Sequence, residues 1–170
     1  MGFTRDYLSK VIALALIQTS GGTYTLTRAG GPIWSINKTA AADTTYVRIP
    51  VLPPVQSGKL LNGARLTSID IWWTNATGDL TSLTPTVNLA LLPANAAAPA
   101  APTALTFTYD TGHDLAAERI TQAAHKMTLT VTTPAYLDDD QELFVELAIV
   151  AAAGSVVKVY DARVNYELNI

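Results

Sequence analysis

Cysteine is absent from this 170-residue chain, which excludes disulfide bonds, thiolate metal sites and cysteine nucleophiles. Charge is scarce. Asp, Glu, Lys and Arg make up 15% of the residues, against about 25% in an ordinary soluble domain. Basic clusters are missing as well. The 11 Lys and Arg are scattered and outnumbered by 14 acids, giving a net charge of −3. Nucleic-acid binding needs several cations on one face to displace counterions, so that class of partner is excluded. Long apolar runs are also lacking. The stretch Val11–Ile17 has seven residues, far short of the roughly 20 that span a bilayer. Asp6 interrupts the basic stretch, Arg5 to Lys10, that a secretion signal would need. Neither a leader nor a membrane span is expected.

Motifs of catalysis are equally sparse. No lysine follows Ser20-Gly21-Gly22 or Gly30-Gly31 at the spacing of a phosphate loop, so these glycines read as turns. No serine sits in a nucleophile elbow. His113, Asp114, Glu118 and His125 lie near one another, but without the spacing of a zinc helix or a third ordered ligand. They read as solvated loop residues. Asp138, Asp139, Asp140 and Glu142 form an acidic cluster before a strand, yet lack the alternating Asp/Asn and Gly pattern of a calcium loop. A polar turn accounts for them. Catalytic residues, metal ligands and cofactors are therefore all expected to be none, and the chain is read as a non-enzyme. Asn37-Lys38-Thr39 and Asn75-Ala76-Thr77 match the glycosylation sequon, which matters only in a host that glycosylates the chain.

What the chain does contain is period-two alternation. Met127, Leu129 and Val131 alternate with Thr128, Thr130 and Thr132, giving a run with one apolar and one hydroxyl face. From Val156 to Leu168, the pattern places Tyr160, Ala162, Val164, Tyr166 and Leu168 on the face of Val156, opposite Asp161, Arg163, Asn165 and Glu167. Further strands are expected at Thr23–Thr27, Ile33–Ile36, Tyr46–Val51, Leu66–Thr74, Thr86–Leu92, Ala104–Tyr109 and 142–150. The last is joined to 156–168 by a connection of hairpin length. The longer loops at 54–63, 93–103 and 110–126 are expected to cross between sheets, and Leu115 to Ile120 to form one helical turn. Strands with one dry side must pack on a second sheet. The reading is all-β: an antiparallel, jelly-roll-like β-sandwich.

Residues 4–20 fit either a helix or a buried strand. Thr4 or Ser9 as a cap and Gly21-Gly22 as a stop favour a short N-terminal helix. Phe3, Tyr7, Leu8, Val11 and Ile12 make this segment apolar, and it is expected to dock on a partner. The chain thus divides into a docking segment, 1–22, and a single sandwich domain, 23–170. Scarce charge points the same way, towards association. Trp72 and Trp73 are adjacent on a strand, so their rings take opposite faces, one in the core and one outside. The outer ring either seals an interface or stacks on a sugar, and the interface is favoured, so Trp72 joins the candidate interface residues.

Three stretches resemble a loose group of small virion-associated β-sandwich proteins of tailed phages and related viruses. They are Lys38–Thr45 running into Tyr46–Pro50, Gly63–Trp73, and the closing pair Glu142–Val150 with Val156–Leu168. The ending Lys158-Val159-Tyr160-Asp161-Ala162-Arg163-Val164-Asn165-Tyr166 is similar to a terminal strand of that group. The resemblance implies a capsid-decoration, spike-base or fibre-associated protein located in the virion. Its partners would be further copies of itself, as a trimer, and other virion proteins, with no membrane or nucleic acid. The alternative is a carbohydrate-binding sandwich module that uses an exposed tryptophan, with a structural calcium at Asp138–Asp140. Taken as complete, a chain of this length favours the first.

Overall fold

The computed structural model describes residues 5–12, 17–28, 34–38, 42–51, 55–56, 59–60, 64–78, 80–91, 101–136 and 141–169. Their strands are β1 (Arg5–Ile12), β2 (Gln18–Ser20), β3 (Tyr24–Arg28), β4 (Trp34–Lys38), β5 (Asp43–Val51), β6 (Val55–Gln56), β7 (Lys59–Leu60), β8 (Ala64–Thr77), β9 (Leu80–Leu91), β10 (Thr103–Leu105), β11 (Phe107–Tyr109), β12 (Ala124–Tyr136), β13 (Gln141–Ala151) and β14 (Val156–Asn169). The helical content among the described residues is a single 3-10 turn, Glu118–Ile120.

Alternation of apolar residues forces twelve of these strands into two layers, while β6 and β7 pair with each other. A seven-stranded sheet has the order β11-β12-β8-β14-β4-β3, with β1 also on β14, and a five-stranded sheet has the order β10-β9-β13-β5-β2. Every pairing is antiparallel. Within them, β12-β8-β14-β4 faces β10-β9-β13-β5, and the chain passes between the two sets in the interlocked Greek-key path of a jelly roll. Between the sheets lie Val47, Ile49, Ile69, Ile71, Trp73, Val87, Met127, Leu129, Val145, Leu147, Ile149, Val159, Val164 and Tyr166, all buried. Burial pushes the Tyr166 phenol far above its ordinary value, because a phenolate there would lose its water.

Three expectations are corrected. Residues 5–12 form β1 rather than a helix, and Gln18–Ser20 forms β2. The β1 register sets Leu8 opposite Tyr166 and Ile12 opposite Ala162 on β14. A strand satisfies the local composition equally well, and ladder bonds to β14 outweigh a weak helical preference. Second, β13 and β14 are not a hairpin. They lie in different sheets, and 152–155 is a crossing between layers. Of the longer loops, 54–63 does cross, from β5 to β8, whereas 93–103 joins β9 and β10 within one sheet; a short link also crosses, since Thr106 alone separates β10 in one sheet from β11 in the other. The long 110–123 segment joins β11 and β12 within one sheet.

Third, the facing of β14 reverses near its start. Val159 pairs with Trp73 and Ala162 with Ile71, so β14 advances three residues while β8 advances two. Tyr160 and Asp161 together oppose Trp72, which is a β-bulge. As a result Val157 and Val159 point inward with Ala162, Val164 and Tyr166, whereas Val156 and Tyr160 are only half-buried. Desolvation raises the Asp161 carboxyl above its usual range.

Polar contacts fix the rims. Lys38, buried at the end of β4, bonds Asp43 at the start of β5, and the Asp43 carboxylate also accepts from the Thr23 backbone N–H at 2.7 Å. The Lys38 ammonium holds the Asp43 carboxyl below its usual range. Gly78, at φ +74°, turns β8 towards β9 with its Cα against Ser155, where a Cβ would come within 2.8 Å of backbone.

Leu147, fully buried in mid-β13 between β5 and β9, tests the layer assignment. Leu147→Ala is expected to lower stability in urea unfolding by about 2–5 kcal/mol. A loss below about half a kcal/mol, the usual surface value, would invert the facing.

Candidate functional site

The outer face of the seven-stranded sheet carries Trp72 on its central strand β8. Ile69, Ile71 and Trp73 turn into the core, which leaves Ser68, Asp70 and Trp72 outside, as alternation requires. Trp72 is half-buried beside the bulge in β14. The Lys126 ammonium, on the residue opposite it in β12, lies 5.7 Å from the ring centroid, and the Arg163 guanidinium of β14 lies 5.4 Å away. Asp70, next along the face, accepts from the Thr128 hydroxyl at 2.6 Å and lies 3.6 Å from the Lys126 ammonium. Beyond it the Asn165 amide donates to the Ser68 hydroxyl at 3.0 Å. The face therefore offers a half-buried indole bordered by two cations, with an amide and hydroxyls farther along, while the Asp70 carboxylate is itself buried beneath Thr128 and Lys126. Such a surface can stack on an apolar ring face and hydrogen-bond the groups around it.

β1 supplies a second surface. It pairs with β14 on one side, and among the described residues its other side has no strand partner. An eight-residue edge strand is a template for another chain, because the backbone groups on its outer side have no strand partner among the described residues. Tyr7, Leu8, Val11 and Ile12, expected at an interface, all belong to this strand, opposite Glu167, Tyr166, Arg163 and Ala162. Phe3 lies outside the described residues. At another edge, β3 exposes Tyr24 and Leu26, the latter 58% accessible although its partner Ile36 is buried. Trp72 shares the outer sheet face with Arg163, the residue opposite Val11.

At the end of the sandwich, residues 110–123 fold into a clasp that is exposed at 111–112, 114–117 and 121–123, as a solvated loop would be, but partly buried at His113 and buried at Arg119. His125 stacks on Trp73, centroids 4.6 Å apart and planes 8° from parallel, and His113 meets the same indole edge-on at 5.4 Å. Arg119 is buried, donates to the Leu83 carbonyl at 3.1 Å, and lies over the Tyr109 ring. Asn75, of the second sequon, is a structural residue of the clasp. It is 2% exposed, and its amide donates to the Ile120 carbonyl at 2.8 Å while its backbone N–H bonds Ala123. The sequence offered no signal for this clasp, since His113, Arg119 and His125 show no periodicity.

Of the acidic cluster, Asp138, Asp139 and Asp140 lie outside the described residues. Glu142 pairs with Arg48 at 2.9 Å, and the Arg48 guanidinium sits 3.6 Å above the Phe144 ring. Among the described residues no three His, Cys, Asp or Glu converge as a metal site.

No family model and no curated protein matches the chain. Solved structures with a similar course include TmCBM61 in complex with β-1,4-galactotriose, at 9% identity over 94% of this chain and 92% of that one, with a TM-score of 0.45. The Agl-KA catalytic domain matches at 13% identity over 99% of this chain and 28% of that one, TM-score 0.41. Carbohydrate-binding modules of the β-sandwich superfamily match at 10% identity over 93% of this chain and 54% of that one, TM-score 0.37.

The adjacent tryptophans separate surface from core in one measurement. Trp73→Ala is expected to cost about 3–5 kcal/mol in urea unfolding, and Trp72→Ala no more than about 1–2 kcal/mol, as for a partly exposed side chain. Equal losses would mean that Trp72 is a core residue and not part of an available face.

Proposed function

We propose that the chain is a non-enzymatic structural protein of a virus particle, in a capsid-decoration, spike-base or fibre-associated position. It assembles with further copies of itself, as a trimer, and with other virion proteins. The observation that carries this reading is the edge strand β1, eight residues long, with Tyr7, Leu8, Val11 and Ile12 along it and no strand on its outer side among the described residues. An isolated monomer needs charge or a cover at such an edge. β1 carries Arg5, Asp6 and Lys10 of its own, and a second copy is the cover proposed for the apolar residues between and beyond them. The exposed Tyr24 and Leu26 of β3 add apolar surface for the same purpose. The sequence resemblance to virion sandwich proteins supplies the location and the trimer.

A second reading rests on a different surface. Trp72, with Asp70, Lys126, Arg163 and Asn165 around it, supports glycan binding on the outer sheet face. An indole takes the apolar face of a sugar ring while the flanking groups take its hydroxyls.

Light scattering of the full chain and of a variant lacking residues 1–16 tests the first reading. That deletion removes β1 and spares β2. The full chain is expected to be oligomeric at micromolar concentration, and the truncated chain monomeric and still folded through the β8 side of β14 but less stable, since it loses the β1 side of that ladder. A monomeric full chain would refute assembly. A truncated chain that unfolds would make β1 part of the domain's own core. Glycan titration of the same samples, read by Trp72 fluorescence, decides the second reading. Binding that disappears in Trp72→Ala supports it, and no binding to any glycan tested counts against it.

A further inference from the structure

We infer that Arg119 closes a free edge of β9 against pairing with a strand of another chain. β9 pairs with β13 from Leu80 to Leu91, but on its other side β10 covers only Val87–Leu89. Among the described residues no strand lies beside 82–86 on that side. In an antiparallel strand the backbone polar groups of successive residues point to opposite neighbours. The Leu83 carbonyl accepts from Arg119 Nε at 3.1 Å, so Leu83 directs its backbone groups to the uncovered side. Alternation sends those of Pro85 the same way. Pro85 has no N–H, and proline sits within a sheet where its nitrogen faces away from a ladder. A docking strand would therefore find one donor fewer at Pro85 and its acceptor at Leu83 already taken.

The side chain that closes the edge is held from behind. Arg119 is 7% exposed, its Nη1 donates to the His113 and Asp114 carbonyls, and its guanidinium lies 4.4 Å from the Tyr109 ring centroid. The 3-10 turn that carries it is fastened by the Asn75 amide on the Ile120 carbonyl. The clasp itself is tied to the β8–β9 turn by the Gln122 amide on the Gly78 carbonyl, and to β12 by the Asp110 N–H on the Thr128 carbonyl. Among the described residues no carboxylate pairs with Arg119. Burying a cation on carbonyls and a ring is a costly way to brace a loop, which neutral donors would do as well. A long side chain that donates at both ends has a use here, because it spans from the clasp to the rim of the opposite sheet.

β1 is treated differently. Its outer side has no strand partner among the described residues, and the strand runs for eight residues. Natural sheets close unwanted edges with proline, with charge or with a covering loop, and 82–86 has all three. Strand addition, the mode of recognition that a bare sheet edge offers, is thus refused at β9 and left available at β1. The closure goes beyond the assembly proposed above and holds for a monomer as well.

Two substitutions in the full chain separate closing the edge from bracing the clasp. Arg119→Met removes every donor. Arg119→Gln loses the charge and the bonds to His113 and Asp114, but its amide nitrogen stands as far along the side chain as Nε and still reaches the Leu83 carbonyl. Mass is measured by sedimentation velocity as concentration is raised, and amide exchange is read at Leu83 and, as a reporter of global folding, along β13. Arg119→Met is expected to rise to at least double the wild-type mass, with the Leu83 amide protected in the heavier species. Arg119→Gln is expected to keep the wild-type mass throughout. A folded Arg119→Met that stays at the wild-type mass overturns the inference, as does growth that leaves the Leu83 amide unprotected or growth that Arg119→Gln shows equally. Should Arg119→Met fail to fold, the wild-type chain decides. Its Leu83 exchange is expected to be independent of concentration, and protection there that rises with concentration would show an open edge.

Discussion

The structure depends on the two-sided ladder of β14. This strand pairs with β8 along one side and, along the other, first with β4 through 157–159 and then with β1 through 162–169. A strand in that position must keep its dry side towards the opposite sheet over its whole length. The bulge at Tyr160 and Asp161 falls where the outer neighbour changes from β4 to β1. Its extra residue lets both halves present apolar side chains inward, Val157 and Val159 before it and Ala162, Val164 and Tyr166 after it. Without the inserted residue, one half of the strand would turn its charged side into the core.

The same bulge organises the outside. It opposes Trp72, so the indole stands where the sheet is locally bent and where Arg163 and Lys126 converge from the flanking strands. The next residue, Trp73, faces inward and is capped by His125 and His113. Two neighbouring tryptophans thus serve opposite ends of one design, the outer as an available surface and the inner as the floor on which the 110–123 clasp is stacked.

Most of the scaffold was legible from alternation alone. The runs through Val47–Val51, Ile69–Trp73, Met127–Val131 and Val145–Ile149 all fall on strands with the facing that period two assigns. The same rule failed on β14, because a bulge resets parity and leaves no mark in composition. The N-terminal segment fits a helix or a strand by composition and leans to helix because Leu, Ala, Lys and Gln are good helix formers, while the partner that decides the matter, β14, lies about 150 residues away. The β13–β14 link looked like a hairpin because length cannot distinguish a turn within a sheet from a step between sheets. Trp72 was legible as an outer-face aromatic by its adjacency to Trp73. The cations beside it come from β12 and β14, and the clasp is built from contacts across β8, β9 and β11, so neither leaves a local pattern.

Native-state hydrogen exchange measures the central claim directly. Amides of β14 in 157–159 and 162–168, held in ladders on both sides, are expected to exchange only through global unfolding, together with those of β8 and β13. Amides of the edge strands β3 and β10 should exchange faster, by local opening. Exchange in β14 as fast as in β3, at a free energy well below that of unfolding, would contradict a fold organised around that strand.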